Sequence, residues 1–235
     1  GGAGRQSCWD DSQDVPRVAA AIKHVREVEH LPKELPVYAM GASSGGAFMG
    51  SLAAPVAHGG MADLKCIVPM IMGIDPTQNR GIPTLYVHMP KDRFTAAGVA
   101  SGLQELRGRG IRADEVQVRQ KPVTETLLSR CLPAEVARDV VAAITKARLV
   151  DAGGFLQHDS RYGDWVQPAQ KAIAERSKDP LIRDESCLYE LMNVAWASHE
   201  FSAEHGEKML DFCEGQPPSR PSLGGALRGG SGVLR

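Results

Sequence analysis

Apolar residues recur at helical spacing over residues 14–29, where Val15, Val18, Ala19, Ile22, Val25 and Val28 predict an amphipathic helix. Asp14 is placed to cap it, and Pro16 falls in its first turn. Residues 35–40 then form a short apolar run, Leu35-Pro36-Val37-Tyr38-Ala39-Met40, of strand length. Pro36 sits near its start, where a missing N–H does least harm. Residues 64–72 and 82–89 predict two more apolar strands, and 115–119 a short fourth one. Between the last two, residues 95–109 predict a helix with Val99, Leu103 and Leu106 on one face. Helix and strand alternate, which argues for an α/β fold built on a mostly parallel, doubly wound sheet.

From residue 124 to about 197 the pattern becomes helical, with 133–150, 165–177 and 184–197 as candidate helices. Asp151-Ala152-Gly153-Gly154 breaks the first of them. Residues 131–195 read as a helical insert: a cap over a site, an appendage, or a docking surface. A last amphipathic helix over 203–213 carries Met209, Leu210 and Phe212. Residues 215–235 are rich in Pro, Gly and Ser without periodicity and read as a disordered tail. The predicted organisation is one domain over 8–214 followed by that tail.

Composition narrows the function classes. A chain of 235 residues with 43% hydrophobic content suffices for one domain with a buried core. Net charge is −1 and no long charge run occurs, so neither nucleic acid nor an anionic membrane is indicated as the main partner. No 18-residue apolar run offers a transmembrane helix, and the first residues lack the apolar core of a secretory signal. The five cysteines, Cys8, Cys66, Cys131, Cys187 and Cys213, are scattered, odd in number and free of paired C-x-x-C spacing. Most are read as small apolar core residues in a reducing intracellular compartment, cytoplasm or plastid, with a disulfide as the weaker alternative.

Candidate chemistry starts where the first strand ends, in Gly41-Ala42-Ser43-Ser44-Gly45. A strand reversing sharply into a helix lifts one side chain above a sheet, and only small neighbours fit around such a turn. Ser43 is that side chain, and Gly46, Ala47, Phe48, Met49, Leu52 and Ala53 continue as a small, apolar helix. A bare Gly-rich phosphate loop is the competing reading, but no P-loop lysine follows Gly45-Gly46.

A serine hydroxyl needs a base to take its proton, and the base needs an acid to fix its tautomer. Asp92 follows strand 82–89 through Pro90-Lys91, at the carboxyl end where open parallel sheets place their sites. Asp75, after the preceding strand, is a weaker rival. Among seven histidines, His24, His30 and His58 come too early in the chain or lie on surfaces, His88 sits inside a strand, and His158 belongs to the insert. His199 and His205 remain. His199 directly precedes the last helix and is favoured over His205, which is placed within it.

Together Asp14-Val15-Pro16, the elbow 41–48, the strand 82–89 with Asp92, and the closing Ser198-His199-Glu200-Phe201 resemble the α/β-hydrolase superfamily. The likeness is to plant-type and algal α/β-hydrolase-like proteins and, distantly, to the dienelactone hydrolase and feruloyl esterase group. It implies an eight-stranded sheet, Ser43 as nucleophile, Asp92 as acid, His199 as base, and the backbone N–H of Ser44 as one oxyanion donor. It also implies a small-molecule ester as substrate and no metal or organic cofactor. One departure stands out. Such hydrolases carry several strands before the nucleophile strand, and a loop there supplies the second oxyanion donor. Here the sequence offers one helix. The expectation is a sheet lacking its first strands, either in a fragment or in a reduced protein whose open edge is covered by a protein partner or another copy. A non-catalytic hydrolase-like binding or assembly module is the alternative function.

Overall fold

The computed structural model describes residues 8–174 and 186–215. Four strands, β1 (Val37–Ala42), β2 (Leu64–Met70), β3 (Thr84–His88) and β4 (Ala113–Gln117), form one parallel sheet in the order β1-β2-β3-β4. Neighbours in sequence are thus neighbours in space. Parallel pairing requires a crossover after each strand. α2 (Ser44–Ala53) follows β1, and α3 (Arg93–Gly108) follows β3.

The period of two along each strand sorts its side chains between two cores. Ile67 of β2 and Tyr86 of β3 face one layer, packed with Phe48, Met49 and Leu52 of α2 and Val99, Leu103 and Leu106 of α3. α1 (Asp11–Val28) adds Val15 to that layer. Cys66 and Val68 of β2, Leu85 and Val87 of β3, and Val116 of β4 face the other side. There α8 (Gly206–Glu214) covers them with Met209 and Cys213. The sheet is therefore sandwiched between helices, as the alternating pattern predicts.

The helical stretch builds a third core of its own. α4 (Glu125–Leu128), α5 (Ala134–Lys146), α6 (Val166–Ala174) and α7 (Cys187–Trp196) enclose Leu128, Val140, Ile144, Trp165, Ile173 and Met192, all buried. It is a packed subunit of the fold rather than a loose excursion. Its predicted segment 175–177, the start of the predicted helix 184–197, and the tail beyond 215 lie outside the described residues.

The described residues form four strands, the four that the sequence predicts, with β1 at an edge and paired to β2 alone. Several expectations are corrected. Asp10, not Asp14, caps α1: its Oδ1 accepts from the Ser12 N–H at 3.1 Å, while Asp14 Oδ2 accepts from the Asp10 N–H at 2.8 Å. The helix thus starts one turn earlier, because Asp10 is the residue with extended backbone. α8 begins at Gly206, which leaves His205 at its N-cap position instead of inside it.

The cysteine reading is also overturned. Cys66 is bonded to Cys213, with Cα atoms 5.3 Å apart, and Cys131 to Cys187 at 5.8 Å; Cys8 is free and exposed. The pairs are separated by 147 and 56 residues, so no local spacing could reveal them. One bridge ties α8 to the central strand β2, and the other ties the loop between α4 and α5 to the first residue of α7. With these thiols paired, the cysteines no longer point to a reducing compartment.

Candidate active site

At the carboxyl end of β1 the chain turns into α2 through Ser43, whose φ of 53° and ψ of −117° lie outside the ordinary wells of a non-glycine residue. Such a conformation persists only where its surroundings over-determine it. The Ser43 N–H donates to the Met70 carbonyl at 2.9 Å, prolonging the β1–β2 ladder, and the Ser43 carbonyl accepts from the Ala47 N–H at 3.0 Å. Two glycines are demanded by space. A Cβ on Gly41 would stand 2.3 Å from the Gly45 carbonyl oxygen, and one on Gly46 would stand 2.8 Å from Met72 Cβ. Gly45, the second glycine of the motif, would meet nothing within 4 Å. Close approach of strand to helix, rather than the motif as written, sets the requirement.

Asp92 occupies the N-cap of α3, beyond the end of β3. Its Oδ1 accepts from the Thr95 N–H at 3.2 Å and its Oδ2 from Thr95 Oγ1 at 2.7 Å. Burial pushes this carboxyl up, but the Thr95 hydroxyl, the His199 ring and the Thr95 N–H together outweigh that and hold it below its ordinary value. Ionised Asp92 is therefore the favoured form at neutral pH.

His199 arrives from the far end of the chain, in the stretch between α7 and α8, with a φ of 40°. Its Nδ1 lies 2.6 Å from Asp92 Oδ2 and its Nε2 lies 3.1 Å from Ser43 Oγ. A carboxylate at Nδ1 favours the tautomer with a proton there and leaves Nε2 as an acceptor facing the serine hydroxyl. Asp92 is shielded, its side chain 10% exposed, while the imidazole is 37% exposed. The arrangement can move a proton from Ser43 Oγ to His199 and stabilise the resulting imidazolium.

The structure thus brings Ser43, His199 and Asp92 together, and it separates the rivals from them. Asp75 is exposed and caps a short turn, accepting from the Thr77 N–H at 2.9 Å and from Thr77 Oγ1 at 2.7 Å. His88 is buried and bonds Glu115 Oε2 at 2.7 Å. His24, His30, His58 and His158 are exposed. Ser44 is the first residue of α2, so its N–H belongs to the turn that lacks intrahelical acceptors and carries the positive end of the helix dipole.

Beside the elbow, an apolar groove of about 490 Å³ runs along β1 and reaches Gly41, Ala42 and Gly45. Met40, Met61 and Trp9 line it, and Trp9 stacks on Phe48 with ring centroids 4.4 Å apart. Thr95 escaped the sequence reading, although Asp92-Arg93-Phe94-Thr95 has N-cap spacing that could have exposed it. Arg161, which bonds the carbonyls around His199, had no comparable signal, being 38 residues from it. Among the described residues no group of three His, Cys, Asp or Glu side chains could hold a metal ion, and no helix is long and apolar enough to cross a membrane. Comparison with protein-family models, with curated proteins and with solved structures returned no match to this chain.

Proposed function

We propose that this chain is a serine hydrolase of the α/β-hydrolase type, cleaving a carboxylic ester or a related acyl bond. The observation that carries the reading is the continuous relay from Ser43 Oγ through His199, 3.1 Å and then 2.6 Å, to Asp92. Ser43 Oγ attacks the acyl carbon while His199 Nε2 takes its proton, and Asp92 holds the Nδ1–H and offsets the imidazolium charge. The Ser44 N–H faces the negative charge that develops on the carbonyl oxygen. His199 then returns the proton to the departing alcohol, which leaves an acyl group on Ser43. Water, deprotonated by the same imidazole, attacks the acyl carbon, and His199 gives that proton to Ser43 Oγ as the C–O bond breaks and the acid leaves. No cofactor enters this sequence, and the substrate is a small-molecule ester.

A fluorophosphonate probe followed by peptide mapping tests it. Labelling of Ser43 in the folded protein, abolished in Ser43→Ala, is expected; a folded protein whose Ser43 stays unlabelled would sink the reading.

A second reading, a non-catalytic hydrolase-like binding module, draws support from the open edge of β1 and the apolar groove along it. It predicts that Ser43→Ala leaves function intact while removal of residues 131–195 abolishes partner binding.

A further inference from the structure

His199 holds a left-handed backbone conformation with a φ of 40°, two residues after Ala197 at 61°. Neither is glycine, so something outside this stretch must hold it. The sheet side supplies one backbone bond, from the Lys91 N–H to the Ala197 carbonyl at 3.3 Å. Asp92 and Ser43 hold the ring, and the helical subunit bonds the backbone around it. Arg161 Nη2 donates to the Ser198 carbonyl at 2.5 Å and to the His199 carbonyl at 2.7 Å. Asn193 of α7 donates from Nδ2 to Glu200 Oε2 at 3.0 Å. Two successive carbonyls converge on one guanidinium nitrogen only where the backbone between them is sharply bent, which is the conformation His199 adopts.

Arg161 is itself anchored. The Asp159 carboxylate accepts from the Arg161 N–H at 3.0 Å. The neighbouring Ser160 is buried, gives its hydroxyl to Asn193 Oδ1 at 2.7 Å, and accepts at its carbonyl from Trp165 Nε1 at 2.8 Å. Trp165 is 2% exposed in the core of the helical subunit. Packing of that core is thereby transmitted through Ser160 and Arg161 to the backbone of His199.

We infer that Arg161 is a positioning residue, by which the helical subunit holds His199 in line with Ser43 and Asp92. The inference rests on the hydrolase reading for its consequences in turnover, but the positioning itself can be observed without turnover. Arg161 touches neither reacting atom and acts through the backbone of the base.

Two measurements on the full chain test it. The first is the rate of Ser43 phosphonylation, with kcat and KM on a p-nitrophenyl ester. Arg161→Ala should slow phosphonylation and kcat by about 10-fold or more while KM changes little, since a small misplacement of a catalytic group costs up to about 100-fold. Arg161→Lys should recover part of the rate, because one charged donor still reaches the carbonyls, whereas Arg161→Gln should recover less. The second is the downfield proton resonance of the His199–Asp92 hydrogen bond, expected in the wild type and weakened or lost in Arg161→Ala at the same temperature. An Arg161→Ala protein with the wild-type rate and the wild-type resonance, altered only in melting temperature, would overturn the inference. Should Arg161→Ala fail to fold, the graded Lys and Gln variants decide on the same readouts. A wild type that shows the resonance but never labels would remove the hydrolase reading and leave the positioning to be judged by the resonance alone.

Discussion

His199 Nδ1 and Asp92 Oδ2 stand 2.6 Å apart although 107 residues separate them in the chain. The contact joins the N-cap of α3 to the stretch before α8, and it fixes which imidazole nitrogen faces Ser43. Replacing Asp92 with Asn keeps the shape and loses the charge. We expect kcat to fall by about 10⁴-fold, the scale seen when a triad carboxylate is made an amide. Steady-state kinetics on a chromogenic ester, with circular dichroism to confirm folding, measure it.

The same carboxylate makes stability depend on pH. Its folded pKa lies below the ordinary value of 3.8, so folding favours the ionised form. That contribution is complete above the unfolded value and is lost as pH falls through the folded one. Urea titrations should therefore show a stability difference between wild type and Asp92→Asn that shrinks as the pH falls below about 4. A difference that keeps growing as the pH falls below about 4 would contradict the direction of the shift.

Thr95 gives Asp92 both a hydroxyl and an N–H bond. Thr95→Val removes the hydroxyl and keeps the shape. The Asp92 carboxyl should then titrate at higher pH, followed by carbon NMR of its side chain, because a donor that favours the charged form is gone. Turnover should drop by several-fold, on the scale of about 1 kcal/mol for a lost hydrogen bond.

The elbow glycines should differ in their tolerance. Gly41→Ala drives a Cβ into the Gly45 carbonyl at 2.3 Å and should cost about 1–3 kcal/mol or open the turn. Gly45→Ala, with open space and a place in the first turn of α2, should leave stability unchanged or raise it by up to about 1 kcal/mol. Thermal melts of the two variants decide whether space or the motif itself rules.

The disulfides make a covalent prediction. Non-reducing peptide mapping should recover the 66–213 and 131–187 pairs, and thiol titration of the unfolded, unreduced chain should find Cys8 alone. Replacing Cys66 and Cys213 together by Ala should destabilise the fold by about 2–5 kcal/mol. Free thiols at all five positions would refute the pairing.

By itself the sequence determined the features written in short segments. Continuous apolar runs at 64–72 and 82–89, a period near 3.6 at 95–109, and the Gly41-to-Gly46 turn place β2, β3, α3 and the elbow to within a few residues. Chain order also singled out Ser43, Asp92 and His199 as candidates. Only the tertiary structure decided that their side chains meet at hydrogen-bond distance, that Cys66 reaches Cys213, and that Arg161 bonds the backbone of His199. The physical reason is range. Periodicity and turn sterics act over a few residues, whereas these contacts depend on how whole helices pack across the sheet and on a separate helical core. No local pattern in the chain encodes that packing.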